Sequence, residues 1–147
     1  MPSQTWNRID LAVAQLDTAL MLFLDRQDYP AVITLAGAAD VVLAEAVRRN
    51  GGQPILEWEF QQTAPVHALM YRRPLPKEEF FKDKNRVRNA LKHFDKDNAT
   101  ADFTADLEEA ACWMLVRACE NASRLGREMD RFTAFEEWFY EHVVGAA

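Results

Sequence analysis

Six apolar residues between positions 6 and 23 constrain the fold of this chain more than any other feature. Trp6, Ile9, Val13, Leu16, Leu20 and Phe23 follow one another at spacings of 3, 4, 3, 4 and 3. An α-helix gathers such positions into one stripe, whereas a strand would scatter them over both of its faces. The spacing predicts a helix from about Gln4 to Arg26, carrying the seam of an antiparallel bundle.

Asp28 and Pro30 follow at once, a capping residue and a first-turn proline that together predict a second helix. Its apolar face is Val32, Leu35, Ala36, Ala39, Leu43 and Ala46, and Gly51-Gly52 ends it near Asn50. The small run Ala36 to Ala39 would let another helix approach closely. Two helices of about 20 residues joined by a short turn should lie antiparallel. In residues 53–76, Leu56, Trp58 and Phe60 alternate with Glu57 and Glu59, as in a strand. A lone strand has no partner, so an irregular packed connection is expected here, with a short helix from Ala64 to Tyr71. Pro74 and Pro76 then break the chain. A helix is expected from Pro76 or Lys77 to His93 or Phe94, bent near Asp83–Asn85, followed by a polar loop from Asp95 to Thr100. A long helix from about Phe103 to Leu125 buries Leu107, Ala111, Met114, Ala118 and Ala122. A last one, from about Met129 to Val143, turns Phe132, Phe135, Phe139 and Val143 inward. Trp113 and Trp138 lie off these apolar faces, which suits an interface. The reading is an all-α, up-and-down antiparallel bundle of four to five main helices in one domain, residues 1–147.

Composition agrees. The 147 residues are enough for one domain, and five Gly and six Pro are too few for a turn-rich β sandwich. The apolar stretch without a charge from Tyr29 to Ala39 is too short to span a bilayer. No basic stretch leads into an apolar one at the N-terminus, so a cytoplasmic protein without a signal peptide or membrane partner is expected. Cys112 and Cys119 are seven apart in one helix, about 10 Å by the helical rise, too far for a disulfide. They read as reduced, buried, small hydrophobes. No cofactor is expected, and no metal. Two cysteines and three scattered histidines offer no zinc set, and none of His67, His93 or His142 stands in the Glu-x-x-His motif of di-iron bundles. Phosphate loops and nucleophile elbows are also missing. His67 and His142 read as surface or structural histidines.

The charge is uneven. Nine basic and four acidic residues fall in 72–96, while eight basic and nineteen acidic residues occupy the remainder. Within the basic window lies KNRVRNALKHF, Lys84 to Phe94. Here the chain resembles the HEPN superfamily, small all-α proteins of which many are metal-independent ribonucleases. The family hallmark is Arg, four to six residues, then His, with a polar residue, often Asn, directly after the Arg. Arg88, Asn89 and His93 fit with four intervening residues. Arg86 and His93 fit with six, but Val87 follows that arginine.

A helical wheel divides the two arginines. On a straight helix Arg86, Asn89 and His93 share a flank within about 60°, while Arg88 lies about 140° from His93. A kink before Asn89, or a site shared by two protomers, would bring Arg88 in. Because family sites are typically dimeric, Arg88 is the first choice and Arg86 the second.

The resemblance implies a homodimer that cleaves RNA through its own 2′-OH. His93 accepts the proton. The arginine fork stabilises the phosphorane, and Asn89 orients His93 or bonds a phosphate. The partner's motif histidine would serve as acid. Lys84, Arg86 and Lys92 would hold RNA, and the products would be a 2′,3′-cyclic phosphate and a 5′-OH. Such proteins are often toxins encoded beside a nucleotidyltransferase-like antitoxin, or defence components. Two alternatives stay open: a HEPN-like module that binds a nucleotide, RNA or protein without cutting, and a purely structural helical dimer. Asp40 reads as a helix-edge acid or as a partner for a motif arginine.

Overall fold

A computed structural model describes residues 1–94 and 100–145. The sequence expectation for 95–99 lies outside the described residues. The chain is all-helical among the described residues, with seven α-helices.

The first helix, α1 (Arg8–Met21), starts later than the seam suggests. Asn7 caps it, its Oδ1 accepting from the amides of Ile9 and Asp10 at 2.9 and 3.1 Å. Trp6 therefore precedes the helix and is 66% exposed rather than part of the seam. The rest of the stripe is buried or half-buried, with Leu16 and Leu20 fully covered. A π turn (Leu22–Arg26) ends in the left-handed Gln27, and α2 (Tyr29–Arg49) begins behind Asp28, whose Oδ1 accepts from the Ala31 amide. This helix is the centre of the molecule. It packs on α1 and, most extensively, on α6 (Leu107–Arg124). Small residues on both helices, Ala36 and Ala39 on α2 and Ala111, Ala118 and Ala122 on α6, permit that approach and are all buried. Among the described residues α2 is the one helix long and apolar enough to cross a membrane, and its apolar residues Val32, Ile33, Ala36 and Leu43 lie in the core.

Residues 53–76 depart from the expected irregular connection. Ile55–Tyr71 form a continuous helix, α3, with Pro65 inside it. The alternation of 56–60 is helical after all. Leu56 is buried, and Phe60, one turn on, meets Phe80 at 5.4 Å between ring centres. Glu57 and Glu59 reach Arg48 and Lys84, at 2.9 and 3.7 Å.

The expected bend between Asp83 and Asn85 is present. Asn85 (φ −100°, ψ 6°) separates α4 (Lys77–Lys84) from α5 (Arg86–Lys92). Helix α6 begins at Leu107, not Phe103, because Asp106 caps it by accepting from the Glu109 amide at 2.9 Å. The last helix, α7 (Phe132–Phe139), passes into a second π turn, Tyr140–Val144. Val143, expected inward, is 44% exposed there. Trp138 is not a free surface residue: its ring meets Phe23 edge-on at 4.7 Å and stacks on His142 at 4.6 Å. Trp113 is exposed, as its place off the apolar face suggests. Cys112 and Cys119 are buried and unpaired, and burial pushes their thiols up to about 11 and about 12.

Candidate functional site

Four polar residues join α2, α6 and the α4–α5 break. Arg117 Nε donates to Asp40 Oδ2 at 2.8 Å, and its Nη2 donates to Asn85 Oδ1 at 2.8 Å. Asn121, one turn beyond Arg117, donates to Asp40 Oδ1 at 2.7 Å, and its own Oδ1 accepts the Ile55 amide at 3.0 Å. Asp40, Arg117 and Asn121 are all buried. A charge is stable in such a place only when paired and hydrogen-bonded. The cluster thus ties the start of α3 and the end of α4 to the central helix pair. Asp40 is no helix-edge acid. Its direct partner is Arg117, which lies outside the motif.

Arg88 enters the same region from α5. Its stem lies on the backbone of α2 at Gly37, where a Cβ would stand 2.7 Å from Arg88 Cδ. Burial first, and then the charge of Arg117, push the Arg88 guanidinium below the usual arginine range, with Asp40 opposing them. Arg88 and Arg117 both line a cavity of about 340 Å³ between α3, α5 and α6, with Trp113 on its wall.

The other motif residues open elsewhere. Arg86, Asn89 and His93 line a concavity of about 470 Å³, together with Lys82, Phe94 and Phe103. Helix α5 runs unbroken through Asn89, so the kink that would swing Arg88 toward His93 is not there; the break sits at Asn85. Within one protomer it is therefore Arg86, not Arg88, that shares a cavity with His93. Arg86 also donates to the Thr104 carbonyl at 3.1 Å, holding the segment before α6 against α5. His93 is the residue at which the helix ends, with extended backbone (φ −124°, ψ 135°) and an exposed side chain. Lys92 is exposed and lines neither cavity, and Lys84 pairs with Glu59 and lies over the Phe80 ring.

This second concavity combines an imidazole, a guanidinium, an amide and an ammonium with one carboxylate, Asp102, and two exposed aromatic rings, Phe94 and Phe103, at its edge. Cations over a groove attract a phosphate backbone, and exposed rings offer stacking faces to unpaired bases. His67 and His142 bear no such company. Nδ1 of each lies near a backbone carbonyl, that of Arg73 and of Trp138 respectively.

Reasoning along the chain missed Arg117 and Asn121. Their signal was present: two polar residues one turn apart on the otherwise apolar stripe of α6, facing a single acid in the apolar stretch of α2. Comparison with family models, with curated proteins and with solved structures gives no match to this chain.

Proposed function

We propose that the chain is a metal-independent endoribonuclease of the HEPN kind, a helical bundle acting as a homodimer on single-stranded RNA. The observation that carries this reading is the shared concavity of Arg86, Asn89 and His93, to which Lys82 and two exposed phenylalanines contribute. In this reading neutral His93 accepts the proton of the ribose 2′-OH. The 2′-oxygen attacks the adjacent phosphorus. Arg86 donates its fork to the non-bridging oxygens and offsets the charge that builds on the phosphorane. The leaving 5′-oxygen takes a proton from His93 of a second copy. The products are a 2′,3′-cyclic phosphate and a 5′-OH. Asn89 orients His93 or bonds a phosphate oxygen.

Arg88 is assigned a supporting part in each protomer, packed on Gly37 beside the Asp40–Arg117 pair. The test is incubation of purified protein with single-stranded RNA in EDTA, with mass analysis of the new 3′ ends. Cyclic phosphate ends that vanish in His93→Ala support the reading. Intact RNA in the presence of wild-type dimer would favour the binding module instead.

A further inference from the structure

The cavity between α3, α5 and α6 is lined by two guanidinium groups, Arg88 and Arg117, with one buried carboxylate, Asp40, beside them. Arg117 is 7% exposed and Arg88 is half-buried. The carboxylate beside them, Asp40, already accepts on both oxygens, from Arg117 and from Asn121. Among the described residues Arg88 has no hydrogen-bond or ion-pair partner, and Arg117 Nη1 has no acceptor. Among the described residues no fully buried side-chain polar atom is unsatisfied, so these free N–H groups are within reach of solvent, and both residues line the cavity. Of the acids on the wall, Glu59 faces Lys84, Asp106 caps α6, and Asp83 and Glu109 are solvent-exposed.

The position of Arg88 is built in. A glycine in a helix interior is destabilising relative to alanine. Gly37 occupies such a position in α2, and the room it leaves is filled by the Arg88 stem. The unpartnered guanidinium of Arg88 on α5 and the free Nη1 of Arg117 on α6, lining one pocket, offer donors to a tetrahedral oxyanion. A volume of about 340 Å³ lies within the range of small-ligand sites, about 300–1,000 Å³. Trp113, 49% exposed on the wall, offers an apolar face to the carbon part of an ester.

We propose that this cavity binds a phosphate monoester on Arg88 and Arg117, at a site separate from the His93 concavity. The phosphoryl group belongs either to a free small ester or to the phosphorylated 5′ end of an RNA. Arg86 lines both cavities, so an occupant here borders the residue that faces His93. The assignment does not rest on the nuclease reading.

The test titrates inorganic phosphate into the full chain by calorimetry and follows the melting temperature. Saturable binding is expected in wild type. Arg88→Gln should weaken it about tenfold or more, as loss of a charge-assisted hydrogen bond does. Gly37→Ala should weaken it too, by displacing the Arg88 stem without removing a charge. His93→Ala should bind phosphate as wild type does. In a second arm, tighter binding of a 5′-phosphorylated than a 5′-hydroxyl oligoribonucleotide identifies an RNA end, and equal binding identifies a free ester. Absence of saturable phosphate binding overturns the proposal. So does binding indifferent to both Arg88→Gln and Gly37→Ala, or binding lost in His93→Ala. Cleavage of RNA without phosphate binding would remove this site and leave the nuclease reading standing.

Discussion

Arg117 Nε stands 2.8 Å from Asp40 Oδ2, and the two residues, 77 positions apart, are only 7% and 5% exposed. This pair crosses the most extensive contact in the molecule, between α2 and α6. Around it gather Asn121, Asn85, the Ile55 amide and the Arg88 guanidinium.

Removing the carboxylate charge should therefore be costly. Asp40→Asn leaves two neighbouring guanidinium groups without their counter-charge, and losing one partner of a buried pair costs about 3–5 kcal/mol. Urea unfolding measures this. A loss below about 1 kcal/mol, the range of exposed pairs, would mean the cluster is hydrated and not the clamp described.

The two thiols make stability fall in alkali. Burial raises Cys112 to about 11 and Cys119 to about 12, above the ordinary thiol value near 9. Between those values the unfolded chain has lost protons that the folded chain retains, so the stabilising contribution is complete below pH 9 and declines as pH rises toward 11–12. Urea midpoints measured across this window should drop less steeply in the Cys112→Ala, Cys119→Ala double variant. Identical slopes would contradict the assignment. At pH 8 a thiol reagent should label both cysteines only after unfolding.

Much of the helical frame is legible in the sequence because each signal is local. The stripe from Ile9 to Phe23, the Asp28–Pro30 start and the Gly51-Gly52 end all act within a turn or two of chain. Asn85 breaks the helix where the bend was expected. The helix α3 was not legible, because five residues of alternation, Leu56 to Phe60, also satisfy an i, i+4 contact. The site was partly legible. The wheel grouped Arg86, Asn89 and His93, and one concavity unites them. Preference for Arg88 leans on a site shared by two protomers; within one protomer the kink before Asn89 that would also bring it in is absent from α5. Nothing local pairs Asp40 with Arg117, since helix periodicity says which face a residue occupies and not which distant residue meets it.

The two arginines should separate in kinetics. Arg86→Ala should slow RNA cleavage by about 10²–10³, as loss of one donor to a developing oxyanion does. Arg86→Lys should recover little, because a point charge does not reproduce the fork. Arg88→Ala should slow it less than about tenfold at 25 °C, provided circular dichroism shows an unchanged helix content. The reverse order would mean that Arg88 reaches the scissile phosphate across a dimer interface.

Two-histidine catalysis requires two copies. Sedimentation at micromolar concentration should give a dimer of 16.9 kDa chains. A monomer that cleaves RNA at full rate would remove the second histidine from the mechanism.

The most direct measurement compares wild type with His93→Ala on single-stranded RNA in EDTA. Wild type should leave 2′,3′-cyclic phosphate ends, and DNA of the same sequence, lacking the nucleophile, should survive. His93→Ala should abolish cleavage with its melting temperature almost unchanged, since the exposed His93 side chain opens no core cavity. Cleavage that persists in His93→Ala, or that stops in EDTA, would contradict the account.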